Sequence, residues 1–454
     1  MESREESPGH LKRVLGPWAL TSLGIGSIIG AGIFALTGLA ASKAGPGIML
    51  SFVIAAMACA FAGFCYAEFA SMIPVAGSAY TYAYATLGEM MAWLVGWNLL
   101  LEYAVGNSAV ASSWGGYFNN LLAFFNFQIP PQFLGAPNGH GNIINLPALL
   151  IVLIITWLLA RGIQESSKAN NVMVIVKLAI ILFFIGLGGM FVKPMNWQPF
   201  MPHGFSGVMA GAGLVFFAFI GFDAVSTTAE ECKDPGRNLP RGILFSLGIC
   251  TLIYAAVALV VTGMLKYTEL GKQADPLAYI FTQHGLNGWA GVISFGAIIA
   301  TTAALLVYQV GQPRIFMSMS RDGLLSPWFG KVSKKHGTPG NATFLTGCIV
   351  AIPAALLNIS EVVELTNIGT LFAFSLVCCG VMILRARRPE ATRRFRMPWV
   401  WVTAPLGILF CIWLAKGLPA ITWYRFFAWL LLGLLVYFVY GFRNSALHDK
   451  REKA

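Results

Sequence analysis

Charged residues are scarce in this chain of 454 residues: they make up 11% of it, against 57% hydrophobic residues. A soluble chain has about 25% charged residues, so the composition excludes an ordinary soluble protein. The sequence also lacks a CxxC pair and an HExxH pair, and its six histidines are scattered without ligand spacing. We therefore predict no metal site and no cofactor.

Long apolar runs account for most of the chain, and they are near the ~20 residues that a helix needs to cross a bilayer. They predict an all-α polytopic membrane protein with twelve transmembrane helices. The fourth and ninth of these are short. The predicted spans are residues 16–40, 48–72, 88–118, 146–160, 169–192, 207–229, 241–264, 287–313, 343–357, 364–384, 398–416 and 423–441.

The basic residues are distributed unevenly over this predicted topology. Twenty-three of the thirty Lys and Arg residues fall on one side and six on the other, while Lys177 lies within a span. Cytoplasmic loops carry the excess of Lys and Arg, so both terminal segments, 1–15 and 442–454, are predicted to be cytoplasmic. The net charge of +11 then needs no nucleic acid, because the basic loops face anionic lipids.

Two predicted spans contain features that interrupt a helix. The first has four glycines in the nine residues 24–32, and each glycine costs about 1 kcal/mol relative to alanine. We predict that this helix unwinds near its middle; the alternative is a close-packing GxxxG face at Gly26 and Gly30. The sixth span is apolar up to Ile220 and polar after Gly221, which predicts a second break.

The two predicted breaks occupy equivalent positions in two halves of similar length. The first five spans cover 16–192 and the next five cover 207–384, with two extra helices at 398–441. Five is an odd number, so the second half is inverted. Inverted repeats with discontinuous helices are typical of alternating-access transporters with a midplane site. Freed N–H groups suit a carboxylate and freed C=O groups suit an ammonium, and an amino acid has both.

Three stretches carry a family resemblance: GIGSIIGAGIF, GFDAVSTTAEECKDPGRNLPRGI and QPRIFMSMSRDGLLSP. They resemble the amino acid–polyamine–organocation superfamily and, within it, a bacterial member of the cationic amino acid transporter family. The resemblance implies a leucine-transporter-like fold. It also implies that Gly30, Ala31 and Gly32 meet the substrate carboxylate. The carbonyl groups implied for the substrate ammonium are those of Ile28, Phe217, Ala218 and Ile220, with the Phe217 ring covering the occluded substrate.

Lys177 is the only charged residue of 171–192, and a charge at the centre of a span costs roughly 3 kcal/mol. It matches the lysine that, in similar proton-coupled transporters, stands where sodium-coupled ones hold a sodium ion. Removal from water favours the neutral form of an ammonium. We therefore predict that Lys177 carries the coupling proton. The alternative is a lysine that snorkels to the inner interface.

Three further polar residues interrupt apolar runs. Asn107 is predicted to lie near the substrate. Glu102 is predicted to be either part of a proton relay or a buried structural partner. Asp223 is predicted to contact substrate or to cap the half-helix that follows it.

The predicted function is import of small neutral, alanine-like L-amino acids across the plasma membrane by proton symport, because Ile28, Ile29, Phe217 and Ile220 form an apolar lining. Transport of Lys and Arg is an alternative, as is exchange without proton coupling. A membrane enzyme or a receptor is disfavoured, since no nucleophile and base cluster and no sizeable soluble domain is evident. The predicted partners are the substrate and membrane lipids; an accessory single-span protein and the oligomeric state are left open.

Overall fold

A computed structural model describes residues 15–73, 78–137, 141–162, 167–229, 232–271, 275–333 and 338–446. Most of the two predicted terminal segments, residues 1–14 and 447–454, lies outside the described residues. Within the described part, regular structure is helical, and extended pairing is limited to two isolated bridges. The prediction of an all-α fold is confirmed.

The helices are numbered α1 to α18 in chain order. The first nine are α1 Pro17–Ile28, α2 Ala31–Ala44, α3 Ile48–Met72, α4 Ser78–Thr86, α5 Glu89–Phe124, α6 Leu146–Ala160, α7 Ser167–Gly189, α8 Gly204–Val215 and α9 Ala224–Thr227. The others are α10 Pro235–Met264, α11 Tyr267–Leu270, α12 Pro276–Gln283, α13 Asn287–Arg321, α14 Gly340–Leu356, α15 Ile359–Arg387, α16 Val400–Lys416, α17 Ala420–Val436 and α18 Phe442–Asn444.

Six helical stretches in the described part are long and apolar enough to cross a membrane. Four shorter apolar stretches accompany them, among them α6, α14 and α16. The predicted fourth span has the same bounds as α6. The six long stretches are Ala31–Met72, Asn171–Gly189, Pro235–Met264, Asn287–Arg321, Ile359–Arg387 and Ala420–Asn444.

Several helices are longer than the spans predicted for them. Helix α5 extends to Phe124, α10 begins at Pro235, and α13 continues through Pro313 to Arg321. Hydropathy marks the part of a helix that matches the hydrocarbon thickness, and these helices continue beyond it with polar residues. The proline in α13 removes one backbone hydrogen bond without ending the helix, as happens where neighbouring helices support the backbone.

The packing brings the two predicted breaks into the middle of the helical assembly. Helix α13 packs along α5, α10 packs against both α1 and α3, and α2 packs against α8. At one end of this assembly α11 and α12 cover α2, where a Cβ at Gly38 would lie 2.7 Å from the Leu270 carbonyl oxygen. The two short helices therefore lie directly on α2 at this end.

Two side-chain contacts tie α5 to this end of the assembly. The Tyr117 hydroxyl of α5 donates to the carbonyl of Phe34, with 2.6 Å between the oxygens. The Asn120 amide of the same helix donates to Asp275, which precedes α12. Burial raises the pKa of Asp275 to about 6. Helix α5 is thus fastened both to α2 and to the start of α12, one of the short helices that cover α2.

Candidate functional site

The first helix is broken where the glycines predict it. Helix α1 ends at Ile28, and α2 begins at Ala31 after Gly30 takes φ −144° and ψ −142°. The N–H groups in the first turn of a helix have no acceptor within that helix, and no side chain caps α2. Ala31 and Gly32 therefore stand at the positive end of a 14-residue helix, a natural site for a carboxylate.

The second break is longer than the sequence predicts. Helix α8 ends at Val215, a 3₁₀ turn follows at Phe216–Phe219, and the backbone is extended at Ile220. Gly221 has φ +117°, and a Cβ there would lie 2.8 Å from the Ser27 carbonyl oxygen. Only glycine suits both the dihedral angle and the space. The predicted half-helix at this point is reduced to the four residues of α9.

The two breaks contact each other directly. A Cβ added at Gly32 would overlap the Cα and Cβ atoms of Ala218. The Tyr254 hydroxyl of α10 bridges them as well, because it lies 2.9 Å from the carbonyl oxygen of Ile28 and 2.9 Å from that of Ala218. Sequence reasoning missed Tyr254, since nothing in an apolar run distinguishes a tyrosine that packs from one that bridges two helix breaks.

The Tyr254 hydroxyl contacts two of the carbonyl groups that are predicted to bind the substrate ammonium. The carbonyls of Ile28 and Ala218 are adjacent in space, as the resemblance implies, but each already lies within hydrogen-bonding distance of Tyr254. The Phe217 carbonyl accepts from the N–H of Ile220 at 3.2 Å. A substrate ammonium would therefore share these oxygens, each of which has two lone pairs, or displace the tyrosine hydroxyl.

Lys177 lies on α7 with 0% of its surface exposed. Its ammonium donates to the carbonyl of Gly26 and, at 2.9 Å, to that of Ile29. The snorkelling alternative is wrong, because a snorkelling lysine keeps its ammonium in water. The charge instead satisfies carbonyl groups at the end of α1 that the break releases from helical hydrogen bonding.

A third wall of the site comes from α5. A Cβ at Gly106 would meet Thr366 of α15 at 3.4 Å, the Phe217 ring at 3.7 Å and the Tyr308 ring of α13 at 3.8 Å. Three other helical segments therefore converge on this glycine. The neighbouring Asn107 is fully buried, and neither polar atom of its side chain has a hydrogen-bond partner among the described residues.

Residues next to one another on α13 have different surroundings. Tyr308 faces Tyr103 of α5, with 5.4 Å between ring centroids. Gln309 turns away towards α6, where its side chain lies 3.2 Å from the Thr156 hydroxyl. The tyrosine lines the central region and the glutamine serves packing.

Glu102 and Asp223 line one small cavity between the breaks and α13. Its volume is about 10 Å³, close to the minimum that holds one water molecule. Both carboxyl groups are buried, and one oxygen of Glu102 has no hydrogen-bond partner in the described part of the chain. The structure thus brings together two residues that the sequence treats separately.

Two interrupted helices in contact, surrounded by long apolar helices, are characteristic of membrane transporters. The family model for amino acid permeases matches residues 15–440. The chain belongs to the amino acid permease family, within the amino acid–polyamine–organocation superfamily, so the predicted resemblance is confirmed. It is accordingly a multi-pass membrane transporter and not an enzyme.

Curated relatives match nearly the whole chain. It is 48% identical to the branched-chain amino acid permease BcaP of Bacillus subtilis (strain 168), over 97% of this chain and 95% of that protein. It is 46% identical to the methylthioribose transporter of the same organism, over 98% of this chain and 97% of that protein. The cationic amino acid transporter 4, vacuolar, of Arabidopsis thaliana is 38% identical over 85% of this chain and 66% of that protein.

Proposed function

We propose that the protein imports neutral L-amino acids with aliphatic side chains by proton-coupled symport. One observation carries the proposal: the two helix breaks meet at a buried point, and the ammonium of Lys177 lies on the carbonyls of the first break. A site of this kind recognises both charged groups of an amino acid through the backbone. It leaves the side chain to be selected by the surrounding helices.

Each end of the substrate has a proposed set of partners. The carboxylate is bound by the first N–H groups of α2, at Gly30, Ala31 and Gly32, where the helix dipole favours an anion. The ammonium is bound by the carbonyls of the two breaks. The carbonyls proposed for it are those of Ile28, Phe217, Ala218 and Ile220.

The proposed topology has twelve spans arranged as an inverted five-plus-five repeat, with α16 and α17 as the two extra helices. The equivalent positions of the two breaks support the repeat. The excess of Lys and Arg on one side supports cytoplasmic termini, and we propose the plasma membrane as the location. Rocking of one helical group against the other would open the central site to alternate sides.

The residues that line the proposed site suggest which substrate side chains it prefers. Ile28, Ile29, Phe217 and Ile220 are apolar and buried, and Gly106 leaves space in front of Phe217 and Tyr308. This lining suits alanine, valine, leucine and isoleucine. The identity to a branched-chain amino acid permease supports the larger members of this set, so the alanine-like prediction is extended to branched side chains.

For proton coupling we propose that Lys177 releases and regains its proton during the cycle. When charged, it holds the carbonyls of Gly26 and Ile29; when neutral, it holds them less strongly, which favours a different arrangement of α1. The cavity shared by Glu102 and Asp223 offers buried acid groups and space for a water, which would supply a route for the proton.

Gly106→Ala is expected to shift the preference from leucine towards alanine by about tenfold or more. The added methyl group meets no protein atom closer than 3.4 Å, so the fold tolerates it. It takes the space proposed for one substrate methyl group, and one misplaced methylene changes discrimination by about 10–200-fold. The measurement is uptake of the two amino acids into proteoliposomes. Gly186→Ala, where nothing lies within 4 Å, is the matched control. An unchanged ratio would remove Gly106 from the side-chain site.

Competition against labelled leucine uptake tests the substrate class. We expect unlabelled valine, isoleucine and alanine to compete and arginine not to compete at equal concentration. Methylthioribose is a second candidate substrate, because the relative that transports it is 46% identical over nearly the whole chain. Uptake of methylthioribose without uptake of any amino acid would replace the proposal. Strong competition by arginine would favour the cationic alternative.

A further inference from the structure

Six arginines stand within 385–396, the segment that joins α15 to α16. Two of them are bound by Glu68, a buried residue near the end of α3. Arg385 donates to both Glu68 oxygens at 2.9 and 2.6 Å, and Arg393 donates to Oε1 at 3.1 Å. The N–H of Met397 donates to Oε2 at 2.8 Å. The segment is thus folded around one carboxylate.

Arg393 also fixes the path of the backbone. Its guanidinium donates to the carbonyls of Arg388, Pro389 and Ala391 at 2.9, 3.1 and 2.8 Å. A loop tied at this many points has a defined shape, so the side chains it carries outward are held in fixed relative positions.

The other four arginines, which we call the arginine face, are exposed: Arg387, Arg388, Arg394 and Arg396. In the part of the chain that the structure describes, two carboxylates accompany these four charges. Glu390 is exposed on the same segment, and Asp234, before α10, pairs with Arg394. That pair is open to solvent, with side chains 69% and 44% exposed, and such pairs are weak. An anion with better geometry can therefore displace Asp234.

Two tryptophans place the arginine face at the level of the lipid headgroups. Trp399 is 82% exposed and Trp401 is 59% exposed, and both stand where the apolar helix α16 begins. Tryptophan prefers the membrane–water interface. Arginines a few residues away are then within reach of lipid phosphates, which the guanidinium fork binds in a bidentate manner.

We propose that the arginine face, together with Trp399 and Trp401, is a preorganised site for anionic phospholipid headgroups. The bilayer supplies the partner, and clusters of four or more basic residues beside a membrane helix are the pattern that such lipids recognise. Because Arg394 also pairs with Asp234 beside α10 and the segment is anchored to α3, lipid binding would alter contacts of both helices. A dependence of transport on anionic lipid follows, and this last step alone rests on the proposed function.

Native mass spectrometry of the purified chain of 454 residues tests the binding. The protein is mixed with equal amounts of phosphatidylglycerol and phosphatidylcholine, and the retained lipids are counted. We expect the wild type to prefer phosphatidylglycerol. Each basic residue contributes about fivefold to such binding, so the variant R387Q/R388Q/R394Q/R396Q should lose at least tenfold of that preference. W399A/W401A should reduce retention of both lipids.

The control removes four exposed basic residues elsewhere, as R161Q/R321Q/K331Q/R443Q. An equal loss in this control would overturn the proposal, because net charge alone would then explain the binding. Unchanged preference in the arginine-face variant would also overturn it, as would full displacement of phosphatidylglycerol by inorganic phosphate, which would indicate a site for soluble anions.

Uptake into vesicles with and without phosphatidylglycerol provides the second readout. We expect the wild type to be faster with the anionic lipid and the arginine-face variant to be insensitive to it. A chain that retains phosphatidylglycerol but transports no amino acid would count against the proposed function and leave the lipid site standing.

Discussion

Lys177→Met is expected to lower gradient-driven uptake at least about tenfold and to abolish its response to an imposed pH gradient. Methionine has similar length and no charge, so the carbonyls of Gly26 and Ile29 lose their buried donor. An unsatisfied buried group costs about 1–3 kcal/mol, and each 1.36 kcal/mol corresponds to about tenfold in rate. The measurement is uptake into proteoliposomes with and without the gradient.

Substrate counterflow distinguishes lost coupling from lost folding. It needs no gradient, so a folded but uncoupled variant should still exchange labelled for unlabelled substrate. Lys193→Met changes an exposed lysine before a 3₁₀ turn and should behave as wild type. If Lys177→Met responds to the gradient as wild type does, Lys177 has no part in coupling.

Glu68→Gln is expected to destabilise the protein by about 3–5 kcal/mol, the cost of removing one partner from a buried ion pair. The reason is that Arg385 and the fully buried side chain of Arg393 both lose their counter-charge. The measurement is the apparent Tm in detergent, compared at a single heating rate because unfolding of such proteins is usually irreversible.

The matched control for this prediction is Glu361→Gln. Glu361 pairs with Arg425, and both side chains are about two-fifths exposed, so the loss should be within about 1 kcal/mol. A similar fall in Tm for both variants would mean that the Glu68 cluster contributes no more than a surface ion pair.

The sequence indicates the two helix breaks because their cause is local. Glycines at 24–32 and at Gly221 weaken a helix wherever they stand, and the structure breaks both helices there. The importance of Lys177 is likewise evident from the sequence, since a single charge in an apolar run needs a polar partner inside the protein. Its partners are the carbonyl groups of Gly26 and Ile29, which the first break leaves without helical hydrogen bonds.

The remaining features depend on contacts between distant segments. Tyr254 resembles any tyrosine of a membrane helix until α10 is packed beside both breaks. Glu68 and Arg385 are 317 residues apart in sequence, and no local pattern joins them. The half-helix predicted near Gly221 is present only as the four residues of α9. The close approach of Gly221 to the Ser27 carbonyl is another contact between distant segments that the sequence cannot show.

The contact between Gly32 and Ala218 has a mechanical consequence. A hydrogen atom is the only side chain that fits between α2 and the 3₁₀ turn, so no flexible group lies there to absorb strain. Close-packed interiors transmit displacement rather than damp it. A shift of α2 is therefore passed directly to the 3₁₀ turn at Phe216–Phe219, and in the proposed five-plus-five repeat this contact would couple the movement of one half to that of the other.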